Sequence, residues 1–250
     1  MGTQAPTSGA GADHWTAEAY SASAAFVPRL TQKILHYLDP QPTDRVLDIG
    51  CGDGKFTANF VDRVEYVLGL DASKGMIEAA KRDFARGNAE YRTVDCRYLD
   101  QELQGGSVAS ATWDKVDPTT RVAVLQAIHG CLKPNGSFIF EMGGHGNVPE
   151  VHAAIIAALV HQGVKIEAAR QVMPWFFPSE TWMRKTLEGI GFRVERLEME
   201  YRPTKLTTDE KGGIEGWVRL MGASPLEALD EGKREDAVRE PIYTSSKNHI

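Results

Sequence analysis

Arg45-Val46-Leu47-Asp48-Ile49-Gly50-Cys51-Gly52-Asp53-Gly54-Lys55-Phe56-Thr57 joins a short apolar run of β character to a glycine-rich turn and then to a helical pattern. Gly50, Gly52 and Gly54 can take positive φ without a Cβ clash, and they let a ligand approach the backbone where a parallel strand hands over to a helix. The stretch therefore argues for an α/β fold with a nucleotide-like ligand over the turn. Spacing narrows the choice. A dinucleotide fingerprint needs glycines at relative positions one, three and six; counted from Gly50, the sixth place is Lys55 and the third glycine comes one residue early. An NAD-dependent oxidoreductase is disfavoured on that ground. Asp48 adds a fixed negative charge at the strand end, unhelpful beside a diphosphate but suited to the amino group of a methionine-type ligand.

Working outward, Phe56 to Val64 reads as a helix and Glu65 to Leu70 as a second strand ending on Asp71. Asp71 lies about twenty residues beyond the turn, where an α/β nucleotide fold places a carboxylate on the ribose hydroxyls. It also suits the N-cap of a helix from Ser73 to Phe84, and the two roles are compatible. Glu90 to Val94 gives a third strand, followed by Asp95-Cys96-Arg97. Val122, Leu125, Ile128 and Leu132 form an amphipathic helix face. Lys133-Pro134-Asn135-Gly136 is a turn into a further strand, Ser137 to Met142, with Gly143-Gly144-His145-Gly146-Asn147 at its carboxyl end. Val151 to Val160 is helical, Ser179 caps a helix to Gly189, and Phe192 to Tyr201 alternates as a strand.

The motif Asp48-x-Gly50-x-Gly52-x-Gly54 resembles the first motif of class I S-adenosylmethionine-dependent methyltransferases, and Asp71-Ala72-Ser73 with Met76 resembles the second. "Leu-Lys-Pro-x-Gly" before the strand at Ser137 is a further family hallmark. The resemblance covers roughly residues 15 to 225. It implies an α/β fold with a doubly wound, Rossmann-like, mostly parallel sheet, flanking helices and an amino-terminal helical cap over Trp15 to Leu38. Trp15 and Tyr20 would then touch ligand or simply pack on the core. The implied cofactor is S-adenosyl-L-methionine, held by Asp48, the turn residues Gly50, Cys51, Gly52 and Gly54, and by Asp71, Ala72 and Met76. Asp95 would accept from the adenine amino group with Cys96 along the ring edge; a solvated strand-end acid is the alternative for Asp95. The run Met142-Gly-Gly-His-Gly-Asn, the segment Trp175 to Phe192 and Gly-Trp-Val-Arg-Leu at 216–220 resemble the trans-aconitate methyltransferase-like branch. That likeness implies a small-molecule acceptor, a carboxylic acid, with His145 and Arg219 as donor or positive partners. A loop histidine with solvent or backbone partners is the plainer reading of His145.

Two departures from the family pattern carry expectations of their own. After Ser107 to Val116 the chain goes straight to the helix start Asp117-Pro118-Thr119-Thr120, without the polar and aromatic stretch that lines the transfer site. This shortening predicts cofactor binding with impaired turnover, or a cofactor-binding protein without catalysis. No seventh strand is evident, so the strand Phe192 to Tyr201 is expected to leave an unpaired edge and to favour self-association.

Composition bounds the rest. With 250 residues and 42% hydrophobic content, one α/β core is expected over 15–240, between tails at 1–14 and 241–250. A formal net charge of −6 supplies no positive field for a phosphate backbone, so nucleic acid is not an expected partner. The longest apolar run, Ala153 to Val160, is too short to span a bilayer, and no basic-then-apolar leader opens the chain. Cys51, Cys96 and Cys131 are too scattered for a disulfide framework or a zinc site, which suits a reducing cytoplasm without a metal centre.

Overall fold

A computed structural model describes residues 32–96, 99, 118–203 and 213–246. Trp15, Tyr20 and the shortened stretch 107–116 lie outside the described residues. The first described element, α1 (Gln32–Leu38), leads into β1 (Arg45–Ile49). Every residue of β1 after Arg45 is buried, the mark of a parallel strand covered on both faces. Leu47 and Ile49 enter one core with Leu70, Val124, Leu125, Ile128 and Leu187. Val46 points the other way, to Phe60, Val61, Val64 and Val67, against which Leu35 and Leu38 of α1 pack. Burial of a side chain such as Leu47 stabilises the fold by roughly 1.5–3 kcal/mol.

β2 (Tyr66–Asp71) and β3 (Ala89–Thr93) complete a parallel sheet in the order β1-β2-β3. The register runs Arg45 to Tyr66 through Ile49 to Leu70, and Val67 to Ala89 through Asp71 to Thr93. The carboxyl ends of the three strands are therefore flush. Gly69 lets β2 and β3 close up, since a Cβ there would stand 2.6 Å from the Tyr91 ring. Between β2 and β3 runs α2 (Lys74–Asp83), whose N-cap Ser73 accepts from the Met76 N–H at 3.2 Å.

Beyond the sheet, α3 (Pro118–Cys131) and α6 (Glu180–Ile190) flank the first core. Ser179 caps α6 by accepting from Trp182 N–H at 3.2 Å, and Gly191 ends it in the left-handed region at φ 118°. A second, helical core joins α4 (Pro149–His161), α5 (Ile166–Gln171), α7 (Gly213–Met221), α8 (Ala223–Leu226) and α9 (Glu231–Ser246). Ile155, Leu159, Val218, Leu226 and Val238 are its centre. Among the described residues no helix is long and apolar enough to cross a membrane.

Four expectations are corrected. The α-helix read over Phe56 to Val64 is two 3-10 turns, Thr57–Asn59 and Val61–Arg63, because Thr57 turns inward toward Asp48 while Phe60 and Val61 are pulled into the core. Ser137 to Met142 forms no strand. Its alternating Phe138, Phe140 and Met142 do pack on the first core; alternation reports a buried face and not backbone pairing. Phe192 to Tyr201 likewise packs Phe192, Val194 and Leu197 without a ladder, which removes the strand edge from which self-association was inferred. Finally, α9 runs to Ser246, past the expected boundary at 240, because Ala237 and Val238 seat it in the second core.

Candidate active site

At the flush end of the sheet the chain leaves β1 through three left-handed glycines, Gly50, Gly52 and Gly54, with φ of 77°, 56° and 83°. Gly50 and Cys51 donate their N–H groups to the Leu70 carbonyl at 2.7 and 3.0 Å, which ties the turn to the end of β2. Gly54 is a packing position: a Cβ there would meet Ala80, Phe84 and Tyr91 at 3.2–3.3 Å. Gly52 is different. A Cβ there would meet nothing within 4 Å, so the turn opens at this residue to a space that a ligand can enter.

Three carboxylates surround the turn. Asp48 is 2% exposed, and its Oδ2 accepts from the Thr57 hydroxyl at 2.6 Å. Burial pushes the Asp48 carboxyl up, the Thr57 bond pulls it back and the neighbouring Asp71 charge adds to the rise, leaving it at about 6. Asp71 Oδ2 accepts from Gly52 N–H at 3.0 Å and Oδ1 from Ser73 N–H at 2.8 Å. Asp71 thus fixes the open glycine and the start of α2 together, while the N-cap role falls to Ser73. Each of its oxygens has a second lone pair for a further donor. Asp95 follows β3, held near Asp71 by the Val94 N–H, which donates to the Asp71 carbonyl at 2.9 Å. Asp53, beside the turn, is ion-paired with Lys55 at 2.5 Å.

Of the other expected cofactor residues, Ala72 is exposed next to Asp71. The Cys51 side chain lies in a cluster with Ile77, Ala80 and Tyr91, and burial raises its thiol pKa. Met76 is buried, and Cys96 packs partly on the first core. For these, any contact made by Cys51 or Met76 passes through the backbone or a small exposed edge. Among the described residues no group of His, Cys, Asp and Glu side chains is arranged to hold a metal.

His145 is exposed in a tightly held loop. Its N–H donates to the Pro178 carbonyl at 2.9 Å, and the Asn147 N–H donates to the Gly144 carbonyl at 3.0 Å. A Cβ on Gly143 would come within 2.6 Å of Phe177, and one on Gly144 within 2.7 Å of Met199. Arg219 belongs to the second core's surface. Its guanidinium is paired with Glu215 at 2.6 Å and Glu235 at 2.7 Å. The fold thus gathers Asp48, the glycine turn, Asp71 and Asp95 at one sheet end, sets His145 on a loop against Phe177 and Pro178, and commits Arg219 to two carboxylates.

Two residues were passed over by sequence reasoning. Thr57 stood inside the opening stretch but has no spacing signature that marks it as the partner of Asp48. Arg121 is 6% exposed in the first turn of α3, with its guanidinium carbon 4.3 Å above the Phe176 ring. A cation three residues before the apolar Val124 is the sole signal for it in the sequence.

Comparison with known proteins agrees with this geometry. The sequence profile of the methyltransferase domain matches residues 46–136. A Schizosaccharomyces pombe protein named as an uncharacterized methyltransferase is 34% identical over 240 residues, spanning 93% of this chain and 89% of its own length. A malonyl-[acyl-carrier protein] O-methyltransferase of Acetivibrio thermocellus is 28% identical over 199 residues, 74% of this chain and 69% of that protein. In fold, the chain is similar to the crystal structure of a putative methyltransferase from Bacillus halodurans, with a TM-score of 0.55 at 16% identity over 82% of this chain and 80% of that one.

Proposed function

From its membership of the class I S-adenosylmethionine-dependent methyltransferases, we propose that the chain methylates a small carboxylic acid, as in the trans-aconitate methyltransferase-like branch. The observation that carries the cofactor half is the open face of Gly52, held by Asp71 at the flush ends of three parallel strands. The residues present fit the cofactor. The space over Gly52 admits its backbone-hugging methionine part, and buried Asp48 offers a negative partner for the amino group. Asp71 retains lone pairs for the ribose hydroxyls, and Asp95 stands one strand further along for the adenine amino group. When bound, S-adenosylmethionine supplies a sulfonium-activated methyl group, so an acceptor oxygen forms the new C–O bond as the C–S bond breaks and its electron pair returns to sulfur.

A carboxylate acceptor needs no base, being ionised at neutral pH. What the protein contributes is alignment, which is worth roughly 7 kcal/mol or more when the reacting atoms are well placed. In this reading the loop Gly143 to Asn147 bounds the acceptor, with His145 as a donor to it. The relative that acts on a malonyl group supports an acidic acceptor. The test pairs two measurements on the full chain: calorimetric titration with S-adenosylhomocysteine, and methyl transfer to a panel of small acids, phenols and amines. Tight cofactor binding with transfer to acids is expected. Transfer confined to phenols or amines would overturn the acceptor class, and binding without transfer to any of them would mark an impaired enzyme.

A further inference from the structure

We propose that Arg121 is the residue that recognises the acceptor's non-reacting carboxylate, and so makes the site select dicarboxylic over monocarboxylic acids; the inference rests on the carboxylic-acid reading above. Four observations converge on it. Arg121 is 6% exposed, and its guanidinium lies on the face of Phe176, 4.3 Å above the ring centre. Trp182 meets the same ring edge-on at 5.0 Å, so the platform is itself fixed. The next residue, Phe177, limits the acceptor-side loop, since it leaves no room for a Cβ on Gly143. Pro178 then accepts the hydrogen bond from His145 N–H. The run Phe176-Phe177-Pro178 therefore places Arg121 and the His145 loop against one short stretch of chain.

The chemistry favours an anion with two oxygens. A guanidinium stays charged at any working pH, and its planar fork matches a carboxylate with two parallel hydrogen bonds. Stacking on an aromatic ring leaves the edge of that fork free to donate in the ring's plane, while fixing the tilt. Arg121 has other interactions within the protein. Five N–H donors allow it to keep those and still present one edge to a ligand. Arg219, by contrast, spends its donors on Glu215 and Glu235. A buried cation also discriminates more sharply than an exposed one, because a neutral group in the acid's place leaves the guanidinium desolvated and unanswered.

The test compares malonate with monomethyl malonate, which keeps one carboxylate as methyl acceptor and lacks the second. Wild type is expected to use malonate with a kcat/KM at least about tenfold higher. In Arg121→Gln the gap should shrink to within about twofold, through KM rather than kcat, with S-adenosylhomocysteine affinity unchanged. Arg121→Lys, which keeps charge without the fork, should fall between the two, and it carries the test should Arg121→Gln fail to fold. Undiminished preference for malonate in whichever folded variant is measured would overturn the role of Arg121 and leave the carboxylic-acid reading standing. Wild-type transfer to neutral acceptors alone would overturn both.

Discussion

Asp48 shows what burial does to one carboxyl. Its folded value is about 6 against an ordinary 3.8, so between these values the folded chain holds a proton that the unfolded chain has released. Acidification through that window stabilises the fold, and the gain, on the order of 3 kcal/mol, is lost as pH rises through about 6. Asp48→Asn should abolish this contribution, read as the difference between wild type and variant in urea unfolding from about pH 4.5 to 7.5; identical pH profiles would show that Asp48 is ionised throughout. Cofactor binding should work against the shift, because an ammonium beside Asp48 favours the charged form. Affinity for S-adenosylhomocysteine is therefore expected to fall as pH drops through about 6, and to stay level in Asp48→Asn. At Asp71 the argument is hydrogen bonding. Asp71→Ala removes the acceptor of the Gly52 and Ser73 N–H groups as well as any ribose contact, and should weaken S-adenosylhomocysteine by roughly 1–3 kcal/mol in calorimetry. Unchanged affinity would place the ribose elsewhere.

Elements were legible in the sequence where their cause is local. The glycine turn, β1, β2, β3 and the serine caps of α2 and α6 each follow from a few adjacent residues, and all stand within a residue or two of where the pattern puts them. The misreadings have tertiary causes. Thr57 forgoes a regular helix for a hydrogen bond to Asp48, and Phe138, Phe140 and Met142 alternate because one face is buried, without a paired neighbour. In the site, the three carboxylates and glycines could be read from spacing, whereas Arg121 depends on a ring more than fifty residues away in sequence. Gly69 is a further case, ordinary in the sequence but compelled in the fold by Tyr91 crossing it. Gly69→Ala should cost roughly 1–3 kcal/mol of stability by overpacking. Adding Tyr91→Val should recover part of that loss, so that the double variant is more stable than the sum of the singles predicts. Strict additivity in denaturant melts would mean that the strands part readily to admit the methyl group.

At the scale of the whole molecule two cores meet near the acceptor loop: one around the sheet, the other among α4, α5, α7, α8 and α9. Phe177 packs on the helical core while its ring limits Gly143, so the second core supports one wall of the proposed acceptor site. Arg219 bears on how far that support reaches, since it links α7 to α9 through Glu215 and Glu235. With side chains 40% and 54% exposed, the Arg219–Glu235 pair is well solvated, and such pairs contribute roughly 0–1 kcal/mol. Arg219→Ala is therefore expected to lower Tm by a few degrees at most, with kcat and KM for an acid acceptor close to wild type. The alternative, in which Arg219 leaves its glutamates to hold the acceptor, predicts the reverse pattern. It requires a rise in acceptor KM with Tm unchanged, and a matching rise in Arg219→Lys, which keeps the charge but loses the bidentate fork. Measuring Tm and the two kinetic constants on the same preparations separates a strut between helices from a substrate-binding cation.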